Sequence, residues 1–116
     1  MNDEETLFPL RANVCEDCFL VQTEDFTSRE TFFDDNYAYF SSTSKSWLDH
    51  ARAFSKNVIK EFQLNEDSFV IEVASNDGYL LRNFLKRKIP CLGIEPTEST
   101  ATQAISRGIN TLKDFY

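Results

Sequence analysis

Glycine is scarce in this sequence, with three residues in 116. The shortage shows most in the stretch VIEVASNDGYLL, residues 70–81, which reads as a strand, a loop and a helix with Gly78 alone in the loop. A phosphate-gripping P-loop needs a Gly-Lys-Ser/Thr ending, which is absent. A pyrophosphate loop needs glycine where its backbone presses on the phosphates, and Ala74 and Asn76 stand there. Both nucleotide loops are excluded. Positive charge is also in short supply: 12 basic against 19 acidic residues give −7, a poor surface for a phosphate backbone, so nucleic acid is not expected as a partner. No apolar run approaches the roughly 20 residues that cross a bilayer, so no membrane partner is expected. The start, MNDEETLF, lacks the basic and apolar regions of a secretion signal. Three cysteines, an odd number, suggest reduced thiols in the cytoplasm rather than a disulfide framework.

Apolar residues are plentiful enough for a core: 41% of the chain, with 11 phenylalanines. LFPLRANVCEDCFLVQTEDF predicts two short extended runs around a Cys-x-x-Cys turn, with Leu10, Val14, Phe19 and Val21 on the apolar face. The aromatic, serine-rich FFDDNYAYFSSTSKSW follows, without a clear period. From about Trp47 to Gln63 the pattern turns helical, with Leu48, Ala51, Phe54 or Ser55, Val58 and Phe62 on one face and Ser44 or Ser46 as the cap. Phe69–Ala74 predicts a buried parallel strand. Tyr79–Lys88 predicts a helix, Cys91–Glu95 a second strand, Thr100–Gln103 the capping box of another helix, and INTLKDF a third strand. Strand, helix, strand, helix, strand implies a parallel α/β sheet, and three strands fall short of a full doubly wound one.

A third loop fits residues 72–78. It is the acid-x-Gly-x-Gly-x-Gly pattern that binds S-adenosylmethionine (SAM), with Glu72, Ala74, Asn76 and Gly78 on its four marked positions. SAM carries no phosphate, so the backbone need not come as close. Ala74 is expected to end the strand at negative φ, and Asn76 to take the left-handed conformation it tolerates. Glu95, seventeen residues after Gly78, ends the next strand, where an acid can accept both ribose hydroxyls. Glu72 would hold loop amides or the methionine ammonium. Asp77 joins this cofactor-binding set.

On these residues the sequence resembles the bacterial C-methyltransferases that act on nucleotide-linked deoxysugars. The matching text is FPLRANVCEDCFLVQ, NYAYFSSTSKSWLDHAR, VIEVASNDGYLL and LGIEP, nearly the whole chain. The resemblance implies a partial Rossmann-like sheet preceded by a half zinc-ribbon-like β segment and a long helix. It implies a boundary near residue 42: a remnant of the zinc-binding domain with the aromatic and serine substrate-side segment over 1–42, and the first half of the SAM domain over 43–116. Cys15 and Cys18 match one of two Cys-x-x-Cys pairs around a structural zinc, whereas Cys91 reads as core packing. Tyr37 and Tyr39 become substrate-side catalytic candidates, and Ser41, Ser42, Ser46 and His50 further candidates beside substrate or cofactor. The implied reaction removes the proton α to a keto group, and the enolate takes the sulfonium methyl group. The family's base comes from a later region that this chain lacks. The expectation is therefore a cytoplasmic piece of such an enzyme, truncated or split and inactive alone. The nucleotide-sugar would be its substrate and a complementing fragment its partner. The alternatives are a non-catalytic module that assembles through its incomplete sheet and, less favoured, a small zinc-dependent interaction domain.

Overall fold

The protein is described as a computed structural model covering residues 7–28 and 39–115. It divides into two units, Met1–Phe32 and Phe33–Tyr116. In the first, strands β1 (Ala12–Val14) and β2 (Val21–Thr23) pair antiparallel around the Cys-x-x-Cys turn. The turn closes through Phe19 N donating to Cys15 O and Cys15 N to Leu20 O, both at 3.0 Å, with Phe19 at positive φ. The apolar face expected here is not buried: Leu10, Val14, Phe19 and Val21 are all exposed. Among the described residues the short two-stranded ribbon has no second layer to cover them.

The second unit carries the core. A 3-10 turn, Ser41–Thr43, leads into helix α1, Lys45–Glu61, capped by Ser44 Oγ accepting from Trp47 N at 3.3 Å. Ala51 and Ser55 face inward and Phe54 outward, which settles the choice between the last two. Then come β3 (Val70–Val73), the short helix α2 (Arg82–Leu85), β4 (Cys91–Ile94), α3 (Glu98–Ser106) and β5 (Thr111–Leu112). The three strands form a parallel sheet in the order β3-β4-β5, as the alternating pattern predicts. The core gathers Leu81, Phe84, Ile89, Cys91, Ala104 and Ile109, with Val58, Ile59 and Val70 against it. Cys91 is thus core packing, and among the described phenylalanines only Phe84 is fully buried.

Two expectations need correction. The helix over 79–88 is α-helical only for Arg82–Leu85, because the residues around it close i→i+3 turns (Asn83 N to Leu80 O, Lys88 N to Leu85 O). No capping box forms at Thr100: α3 starts after Pro96 with Thr97 as its cap residue, and Thr100 is buried inside it, donating to Thr97 O at 3.2 Å. Ser41 and Ser42, expected in the N-terminal segment, bind the second unit through Asn76 and Asp77.

Among the described residues one sheet face remains open. Register puts Glu72 beside Gly93 and Thr111 on the covered side, and Val73 beside Ile94 and Leu112 on the other. On that other side Ile71, Val73 and Leu112 are about half exposed.

Candidate functional site

The carboxyl ends of parallel strands are where open α/β sheets bind ligands. A cleft of about 390 Å³ lies there, between Tyr39 and Ser41 on one wall and Val73, Ala74, Asn76, Tyr79, Ile94, Glu95 and Pro96 on the other, with Asp114 and Phe115 at its edge. The loop that floors it has an unusual backbone. Ala74, Asn76 and Gly78 sit at φ of +59°, +50° and +74°. All three marked positions therefore take the conformation glycine adopts freely, although only one is glycine. For Ala74 this overturns the expected negative φ, since the loop turns left-handed one residue sooner than a strand ending would require.

Close packing explains the glycines that remain. A Cβ on Gly78 would lie 2.1 Å from Ile109 Cδ1, and one on Gly93 would lie 2.4 Å from Ser75 Oγ. Gly93 lets the loop rest on strand β4, a role the sequence reading missed. Its signal is a glycine inside an apolar strand, which marks a close backbone approach.

Glu95 is 4% exposed, and its carboxylate braces the loop: Oε2 accepts from Asn76 N at 2.8 Å and Oε1 from Thr97 N at 3.0 Å. The loop amide assigned to Glu72 thus goes to Glu95. Each Glu95 oxygen keeps a second acceptor site, so the side chain can still take ribose hydroxyls from the cleft. Glu72 shares the covered sheet face but does not line the cleft, and its Oε2 is buried without a hydrogen-bond partner. Burial, then the charges of Asp77 and Glu95, push its carboxyl up to about 8, so it is mostly protonated at neutral pH. A neutral acid does not hold an ammonium group by charge.

The other candidates separate. Asn76 clasps the 39–41 segment: Oδ1 accepts from Ser41 N at 2.9 Å and Nδ2 donates to Tyr39 O at 3.1 Å. Asp77 is fully buried, bonded to Ser42 and ion-paired with Arg107 at 3.1 Å, and it points away from the cleft lining. Ser42 turns to Asp77 rather than to the cleft. Ser46 is exposed beside Ser44, and His50 stacks on Trp47 at 5.2 Å around a smaller hollow with Phe54 and Tyr79. Tyr37 lies outside the described residues. Tyr39 and Ser41 are brought to the cleft; Ser42, Ser46 and His50 are not.

Cys15 and Cys18 occupy the turn of the first unit. The Cys15 thiol is held below its usual range by the backbone N–H groups of Cys18 and Asp17, and then by the Cys18 side chain. That environment suits a thiolate ligand. Zinc takes four such ligands, and no cluster of three or more metal-binding side chains occurs among the described residues. The turn holds two thiols.

Comparison with known proteins agrees with this division. Residues 1–33 match the family described as "Putative zinc binding domain". Over 108 residues the chain is 30% identical to the C-methyltransferase NovU of Streptomyces niveus, covering 93% of this chain and 26% of that protein. Over most of its length the chain is thus similar to a C-methyltransferase. The chain spans about a quarter of the length of the relative it matches. No helix among the described residues is long and apolar enough to cross a membrane.

Proposed function

We propose that the second unit is the donor-binding half of a SAM-dependent C-methyltransferase acting on a nucleotide-linked keto-deoxysugar. The observation that carries this is the cleft at the strand ends, floored by a loop left-handed at positions 74, 76 and 78. The residues present fit an adenosyl ligand. Val73, Ile94, Pro96 and Phe115 offer apolar contact for a purine, and Glu95 offers acceptors for ribose hydroxyls. Bound there, SAM would supply an electrophilic methyl group. The chain's own part is to orient that group and exclude water, with Tyr39 and Ser41 as the wall on the substrate side. The general base and the remaining walls would come from outside these residues, so this chain alone should not methylate sugar. The Cys15–Cys18 turn would contribute two ligands to a structural zinc.

Isothermal titration with S-adenosylhomocysteine tests the reading. Saturable 1:1 binding that weakens with Glu95→Ala is expected; no binding in the millimolar range would end it.

The open sheet face supports a second reading, a module that assembles with a complementing polypeptide. Parallel sheets are normally covered on both sides, and here Ile71 and Leu112 are 56% and 51% exposed. A stable complex with such a polypeptide on size-exclusion chromatography would favour it; failure to co-elute at micromolar concentration would count against it.

A further inference from the structure

Arg107 belongs neither to the motif nor to the cleft lining. It follows the last residue of α3, and its side chain is 31% exposed. From there it reaches back to the donor loop. Nη1 donates to Asp77 O at 2.7 Å and lies 3.1 Å from Asp77 Oδ2, while Nη2 donates to Ser42 Oγ at 3.0 Å. Ser42 closes the triangle: its hydroxyl and, at 3.3 Å, its backbone N–H donate to the same Oδ2. Three points far apart in sequence meet on one carboxylate that has no solvent exposure.

Next to this triangle, Asn76 holds Tyr39 and Ser41, which form the cleft wall. Asn76 and Asp77 are consecutive, so the wall is fixed at two adjoining points of the loop. A buried carboxylate stripped of its cation is strongly disfavoured. Without Arg107 the Asp77 carboxylate is left without its cation and is driven to turn outward, and Ser42 then loses its acceptor. Lysine, a single point charge, cannot make all three contacts of the guanidinium fork.

We propose that Arg107 is a positioning residue: it latches segment 39–42 onto the donor loop and thereby sets the affinity of the cleft for its adenosyl ligand. The affinity part rests on the donor-site reading above; the latch itself does not.

Amide hydrogen exchange and titration with S-adenosylhomocysteine, on the whole chain and its variants, test this together. In Arg107→Met the Ser41 and Ser42 amides should exchange at least about tenfold faster, while those of Gly93 and Glu95, inside the sheet, keep wild-type rates. The dissociation constant should rise about tenfold, with Arg107→Lys between the two. If Arg107→Met does not fold, Ser42→Ala cuts the latch from its other end and should give the same amide pattern at about threefold. Unchanged Ser41 and Ser42 amides overturn the latch, and so does equal loss of protection across the whole sheet, which marks a merely structural arginine. A wild-type chain that binds no S-adenosylhomocysteine removes the donor-site reading and the affinity claim, while the amide pattern still decides the latch.

Discussion

Ala74 holds a conformation that costs an L-residue about 1–2 kcal/mol relative to glycine. Replacing it with glycine relieves that strain and gives back part of the gain as chain entropy. Ala74→Gly should therefore stabilise the fold by about 1 kcal/mol in urea unfolding, and a destabilised variant would show that the left-handed turn is wrong. Glu72 makes a prediction of opposite flavour. Its carboxyl ordinarily titrates at 4.5 and in the fold at about 8, raised by burial and by Asp77 and Glu95. Between those values the folded chain holds a proton that the unfolded chain has released, so stability falls as pH rises through the window. Wild type should lose about 3 kcal/mol more than Glu72→Gln between about pH 5 and about pH 8. Parallel pH profiles of the two urea midpoints would refute the assignment.

At the scale of elements, the loop and strand β4 touch where Gly93 meets Ser75. Gly93→Ala would place a Cβ 2.4 Å from Ser75 Oγ and 2.9 Å from Ser75 Cβ, so one of the two backbones must move. A cost of about 1–3 kcal/mol is expected from such overpacking, together with weaker binding of S-adenosylhomocysteine; a variant as stable as wild type would place the loop elsewhere. Helical spacing was a good guide to α1, where Ala51 and Ser55 are buried, and apolar runs located the parallel strands, but the strand expected to be buried leaves Ile71 and Val73 about half exposed because its outer face is uncovered. Periodicity was a poor guide to 79–88, because i→i+3 turns use much the same apolar spacing as a helix. It also misplaced the start of α3, where Pro96 and Thr97 open the helix before the Thr100 pattern begins. Glu72, Asn76, Gly78 and Glu95 were visible as a motif, yet the division of labour between the two acids was not. That division depends on which carboxylate reaches the Asn76 amide, a distance no spacing encodes. Arg107 escaped for the same reason, being thirty residues from the carboxylate it meets.

The described residues of the second unit form an α/β layer with one side covered. Register alone places Ile71, Val73 and Leu112 on the open side, and β3 is an edge strand among the described residues. Exposed apolar surface beside a free edge favours association. Sedimentation velocity should show self-association rising with concentration, and Ile71→Lys should suppress it while leaving the circular dichroism unchanged. A wild-type chain that stays monomeric at high concentration would contradict this.

Position 76 shows what a left-handed residue with a working side chain implies for variation. Glycine there would keep the turn and drop both arms of the clasp. Aspartate would keep the acceptor for Ser41 but set a negative oxygen against the Tyr39 carbonyl. Leucine would fail on backbone and side chain alike. The site tolerates a narrower alphabet than its backbone alone would demand, so a mutational scan should find Asn76 as unforgiving as Gly78, the one for its side chain and the other for want of space.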